Sequence, residues 1–200
     1  MPRQCNMRSL ETERLLLRKF EKTDFSAVHS YASDPANVIF MPWGPNSEKE
    51  TRDFIRLAIS EAGEKPCVAF FFAAVSKEAD MLLGSCNITI AVSGDEAEIG
   101  WIVHRDHWKQ GYGAEMGKAL LRFGFDELSL RRIVAHCDAE NHASWRLMES
   151  IGMRREGLFI ESRPAHKGSD KAYGDEYSYA ILEREWGKGG SAADHFPSIP

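Results

Sequence analysis

The stretch His107-Trp108-Lys109-Gln110-Gly111-Tyr112-Gly113-Ala114-Glu115 constrains this chain more than any other. A strand-like segment, Glu96 to His104, precedes it. A helical stripe of Met116, Ala119, Leu120, Phe123 and Leu128 follows it. Glycines at the start of a helix leave its first backbone N–H groups bare, beside the positive end of the helix dipole. That is a ready site for a phosphate or pyrophosphate. A simple loop-to-helix turn fits the same glycines, so the rest of the chain has to decide.

Arg14 to Phe20 reads as a first strand, and Thr23-Asp24 as a helix start followed by Phe25, Val28, Tyr31 and Ala32. Met41-Pro42-Trp43-Gly44-Pro45-Asn46 is a loop by its Pro and Gly content. Ser47 with Glu50 forms a capping box for a second helix carrying Phe54, Ile55, Ala58 and Ile59. Val68 to Val75 is an apolar run suited to a central strand. Met81 to Val92 and Glu96 to His104 flank a turn and predict an antiparallel hairpin. Arg132 to Cys137 predicts a strand, and Asn141 to Ser150 a helix with Gly152 as C-cap. Met153 to Glu161 and Tyr173 to Leu182 predict two last strands. The expected fold class is α/β (α+β), a mixed, mostly antiparallel sheet of about seven strands flanked by about four helices. Residues 187–200, rich in Gly, Ser, Ala and Pro, are expected to form a disordered tail.

The chain has 200 residues and a net charge of −5, which argues mildly against nucleic acid as a partner. No apolar run reaches the length of a membrane span, and the first ten or so residues lack a signal-peptide core, so cytoplasmic residence is expected. Cys5, Cys67, Cys86 and Cys137 are scattered without a CxxC pair and are expected to be free thiols. His104, His107, His136 and His142 suggest a metal, but no carboxylate or cysteine pattern completes a site, so none is expected.

Gly111, Gly113 and Gly117 also raise a dinucleotide-binding reading. In that fold the glycines follow their strand almost at once, inside a βαβ unit. Here His104 to Gln110 intervene, and the preceding strands form a hairpin. A second constellation lies downstream: Asn141-His142-Ala143-Ser144-Trp145-Arg146-Leu147-Met148-Glu149-Ser150-Ile151-Gly152-Met153. Asn141 stands where a side chain can cap the helix, and Ser144 lies one turn on. Together the two segments resemble the GNAT superfamily of N-acetyltransferases, with Met153 where that family commonly has Phe. Glu11 to Arg18, Ala97-Glu98-Ile99-Gly100-Trp101 and Tyr177 to Leu182 resemble its branch of ribosomal-protein N-terminal (alanine/serine) acetyltransferases. The likeness covers residues 9–186, the expected domain. Trp108 departs from the Gln or Arg common three residues before the loop's first glycine.

The resemblance implies acetyl-CoA as cosubstrate, without a metal, and direct attack of a primary amine on the thioester. It implies that the strand ending at Ile102 and Val103 binds the pantetheine arm, with the Val103 N–H polarising the carbonyl. It implies that Lys109, Gln110, Gly111, Gly113 and Ala114 hold the pyrophosphate, that Asn141 bonds the pantetheine amide, and that Ser144 sits near the sulfur. Lys109 fits equally as a solvated surface charge, and Asn141 and Ser144 as helix caps alone. Alternation places Glu96, Glu98, Gly100 and Ile102 on one strand face, where Glu98 could accept the amine proton or stand as a solvated carboxylate. Trp43 and Tyr177 are expected to line the acceptor pocket or to pack. The acceptor is a protein N-terminal amine or a small one, such as a polyamine, amino acid or antibiotic. A CoA-binding module without catalysis is the other reading, and a homodimer is compatible with the resemblance.

Overall fold

The structure is a computed structural model that describes residues 7–64 and 67–187. Most of the segment expected as a tail, and Cys5, lie outside the described residues. The elements are β1 (Leu10–Glu11), β2 (Leu15–Arg18), α1 (Phe25–Ala32), α2 (Glu48–Glu61), β3 (Ala69–Ser76), β4 (Leu82–Ile90), β5 (Glu96–Val103), α3 (Tyr112–Arg122), β6 (Arg132–Asp138), α4 (His142–Ser150), β7 (Arg154–Pro164) and β8 (Tyr173–Leu182).

The strands form one sheet of eight, in the order β1-β2-β3-β4-β5-β6-β8-β7. The expected count misses β1, a two-residue strand held by Leu10 opposite Leu17. It is too short to show an alternation. All neighbours are antiparallel except β5 and β6.

Two cores sandwich the sheet. On one face α1 and α2 pack with Val28, Tyr31, Ile55 and Ala58 around Phe20, Ala73 and Ile102. On the other, α3 and α4 cover Phe72, Ile88, Ile99, Ile133, Ala135 and Tyr179. The Ser47–Glu50 capping box starts α2, with Ser47 and Glu50 each binding the other's backbone N–H. The i,i+4 pairs Lys49–Asp53 and Glu48–Arg52 support its exposed face. The apolar stripe of the third helix outlasts the α-helix itself: α3 ends at Arg122 and a π-turn carries Phe123 and Phe125 into the core.

Cys86 and Cys137 are free and buried. Cys67 is disulfide-bonded, which corrects the free-thiol expectation. Sequence spacing cannot show such a pairing, because it depends on which cysteines the fold brings together.

Gly84 fixes how closely β4 and β5 approach. A Cβ there would lie 2.1 Å from the Ile102 carbonyl oxygen and 3.0 Å from the Val103 Cα. Both contacts are backbone, so the strand itself would have to move. Gly84→Ala is expected to destabilise the protein by about 2 kcal/mol or more, measured by urea denaturation. Unchanged stability would show that the two strands are not held this tightly.

Candidate active site

The site begins where one strand pairing stops. β5 and β6 run parallel for three pairs only, Glu96↔Arg132, Ala97↔Ile133 and Glu98↔Val134. β5 continues along β4 to Gly84↔Val103, and β6 continues along β8 to Asp138↔Glu176. The two strands therefore part, and a cleft of about 980 Å³ opens between them.

Hydrogen bonding on β4 sets what β5 presents to that gap. The Ala91 N–H donates to the Glu96 carbonyl at 2.8 Å and the His104 N–H to the Leu83 carbonyl at 2.7 Å. Bonded and non-bonded pairs alternate along an antiparallel ladder. Ile102 opposite Ser85 and Gly100 opposite Asn87 are then bonded pairs. Trp101 and Val103 turn their backbone groups the other way, into the gap. The Val103 carbonyl is taken by Trp108 Nε1 at 2.8 Å and Asn37 Nδ2 at 3.2 Å. The Val103 N–H and both backbone groups of Trp101 remain to meet an extended amide-bearing ligand.

The glycine loop closes one end. Gly111 is the N-cap of α3, left-handed at φ 84°, with no side-chain cap on the helix. Lys109 is also left-handed, at φ 60°. The first N–H groups of α3 are thus bare at the cleft mouth. Gly113 serves a second purpose: a Cβ there would stand 2.6 Å from the Leu147 side chain, so it lets α4 pack close. Arg14, which the sequence reading passed over, holds the loop from below. Its guanidinium donates to the Gln110 carbonyl at 2.9 Å, pairs with Glu115 at 2.7 Å and lies over the Tyr112 ring at 4.3 Å.

Glu115 is held below the usual carboxylate range. Burial pushes it up, but the Thr12 hydroxyl and the Arg14 N–H and guanidinium outweigh that.

On the α4 side, the Asn141 side-chain oxygen accepts the Ser144 N–H at 3.1 Å and caps the helix. Its amide nitrogen is uncommitted among the described residues. Ser144 lines the cleft beside Cys137. Burial pushes the Cys137 thiol up to about 11, with the Ser144 hydroxyl opposing. It stays protonated at neutral pH and is a poor nucleophile.

Glu98, Ile102, Val103, Lys109, Gly111, Gly113, Ala114, Asn141, Ser144 and Trp43 all border this one cleft. Gln110 and Tyr177 do not. The Gln110 side chain turns back to the Asp106 carbonyl, and Tyr177 packs under the Arg155 guanidinium at 3.9 Å. Ile102 gives its backbone to Ser85, so only its side chain reaches the wall.

The α1–α2 face of the cleft carries Asn87, Arg163 and Glu176, which no sequence motif marks, together with His136, expected only as a possible metal ligand, and Asp138, expected only in the dinucleotide-binding reading. The end of β7 and the segment that follows it roof this side. Arg163 donates to the Phe40 carbonyl at 3.1 Å, and the Lys167 N–H to the Ile39 carbonyl at 3.2 Å. Lys167 Nζ donates to the Trp43 carbonyl at 2.8 Å, and His166 packs edge-on against Phe40. No local pattern links residues so far apart in sequence.

Residues 14–154 match the acetyltransferase (GNAT) domain family. The chain is 37% identical to the uncharacterized N-acetyltransferase YnaD of Bacillus subtilis over 88% of its length and 98% of that protein. It superposes on a GNAT-family acetyltransferase from Bacillus anthracis with TM-score 0.79 and 37% identity, covering 88% of this chain and 99% of that one. The chain therefore belongs to the GNAT acetyltransferases and is an acetyl-transferring enzyme. Two Vibrio cholerae structures share the fold at lower identity. One, described as a ribosomal-protein-serine acetyltransferase, is 24% identical with TM-score 0.69, covering 88% and 97% of the two chains. The other, a spermidine N-acetyltransferase in complex with CoA and spermine, is 21% identical with TM-score 0.73, covering 87% and 98%.

The Arg14–Glu115 contact makes a pH prediction. A carboxylate whose folded pKa lies below its unfolded value stabilises the fold above the unfolded value, and that contribution is lost as pH falls through the folded one. Glu115→Gln is expected to lower stability at neutral pH by about 1–2 kcal/mol and to flatten the loss of Tm below about pH 5. Thermal melts across pH check this; parallel curves for the two proteins would contradict it.

Proposed function

We propose that this enzyme transfers the acetyl group of acetyl-CoA directly to a primary amine. The observation that carries the reading is the parting of β5 from β6, which leaves the Val103 N–H and the Trp101 backbone facing a ligand-sized cleft. The residues suit the cofactor in three places. The amide-bearing arm of CoA matches the unpaired β5 backbone, as an added strand would. The bare N-terminus of α3, with Lys109 beside it, suits the pyrophosphate. The uncommitted Asn141 amide suits the arm's own amides.

Acetyl-CoA supplies a thioester carbonyl, whose C–S bond breaks as the new C–N bond forms. Glu98 takes the proton the amine gives up, directly or through water. The Val103 N–H is placed to hold the carbonyl oxygen as it gains charge. Ser144 stands by the sulfur and favours its departure as thiol. Direct transfer is supported by the cysteines: Cys137 is a protonated thiol, Cys86 is pushed higher still by complete burial, and Cys67 is disulfide-bonded.

Two acceptors fit. A protein N-terminal amine is favoured by the motif resemblance. A small amine is favoured by the roof that Arg163, His166 and Lys167 build over the acceptor side. Trp43 lines that side in either case. Tyr177 would act only through packing.

Calorimetry is expected to show CoA binding, and a thiol-release assay over an amine panel is expected to find turnover. Glu98→Gln is expected to lower kcat by about 10²-fold or more with KM little changed. Ser144→Ala is expected to lower kcat about tenfold. No CoA binding would overturn the whole reading. CoA binding with no amine turned over would favour a non-catalytic CoA-binding module.

A further inference from the structure

Trp101 and Val103 both turn their backbone toward the gap, but they do not offer it the same groups. Trp101 has its N–H and its carbonyl open, whereas Val103 has only its N–H. Two side chains from different loops make that difference.

Asn37 stands in the turn after α1, where its N–H donates to the Asp34 carbonyl at 3.0 Å and the next residue, Val38, is fully buried. Asn37 is itself 7% exposed, and both ends of its amide are used. Nδ2 donates to the Val103 carbonyl at 3.2 Å, and Oδ1 accepts the Arg105 N–H at 2.6 Å. An ion pair between Arg105 and Asp34, at 3.1 Å, ties the same two segments again. Trp108 comes from the loop before α3. Its Nε1 donates to the Val103 carbonyl at 2.8 Å, and its ring borders the cleft.

A carbonyl oxygen has two lone pairs, so these two donors fill it. One hydrogen bond already satisfies a buried carbonyl; the second closes it to a ligand. The other end of that peptide, the His104 N–H, is bonded to the Leu83 carbonyl at 2.7 Å. The peptide is held at both ends.

An extended ligand lying along a strand edge bonds the N–H and carbonyl of alternate residues. With the Val103 carbonyl open, Trp101 and Val103 would present identical pairs of groups two residues apart, and the amides of a pantetheine arm could settle on either. The two placements differ by about 7 Å along the strand. That is well beyond hydrogen-bond reach, so only one of them brings the thioester to Glu98.

We propose that Asn37 and Trp108 are positioning residues: by closing the Val103 carbonyl they confine the cofactor arm to one register on β5 and so fix where the thioester comes to rest. The inference rests on the acetyl-CoA reading above and adds to it what sets the arm's place along the strand.

Calorimetry with CoA, and infrared spectroscopy with acetyl-CoA isotopically labelled at the thioester carbonyl, test it on the full chain. Trp108→Phe keeps a ring and removes the donor. Asn37→Asp keeps Oδ1 for the Arg105 N–H and puts an acceptor where the donor was; its Tm checks folding, and Trp108→Phe alone decides where that Tm falls sharply. Bound to the unaltered protein, the thioester carbonyl is expected to give one band, below the frequency of free acetyl-CoA. In the variants a second band near the free frequency is expected, with CoA affinity within about threefold of the unaltered protein and kcat about tenfold lower. One band at the native frequency in Trp108→Phe would overturn the inference, as would a loss of CoA affinity as large as the loss of kcat. Either result, with CoA binding and amine turnover intact in the unaltered protein, leaves the acetyl-transfer reading standing. No CoA binding by the unaltered protein removes both.

Discussion

The site depends on a strand pairing that ends early. β5 and β6 share three residue pairs and then separate, each still anchored on its far side by a full antiparallel partner. The open edge of β5 presents its Val103 N–H and Trp101 backbone groups to the cleft, where an extended ligand can pair with them as an added strand would. The α3–α4 core backs one side of the gap and the α1–α2 core the other. The glycine loop, the Asn141 helix cap and the side chains of the α1–α2 face all border that one interruption in the ladder.

The two ends of the cleft differ in charge and in how they are held. At one end, backbone dipoles of α3 and the side chain of Lys109 face outward, and Arg14 and Glu115 fix the loop from beneath. At the other, carboxylates collect on the face beyond the gap, under a roof tied down by bonds to the Ile39, Phe40 and Trp43 carbonyls.

Much of this was legible in the chain. The α2 capping box and the apolar run of β3 are local patterns, and each became its predicted element. The glycine loop and the Asn141–Ser144 helix start were legible for the same reason. What was hidden depends on distant residues meeting. Arg14 reaches Gln110 across the sheet, Asp138 faces Glu176 only through the β6–β8 register, and the roof joins residues near 40 to residues near 165. Trp108, which departs from the family pattern, proves to bond the Val103 carbonyl. Tyr177 followed the alternation of its strand, but alternation cannot say that Arg155 covers it.

Amide hydrogen exchange with and without CoA tests the central claim most directly. The Trp101 and Val103 amides are expected to gain strong protection on binding, while Gly100 and Ile102, already bonded to β4, change little. Protection gained elsewhere with Trp101 and Val103 unchanged would contradict the account, because the open edge of β5 would then not be where the cofactor arm lies.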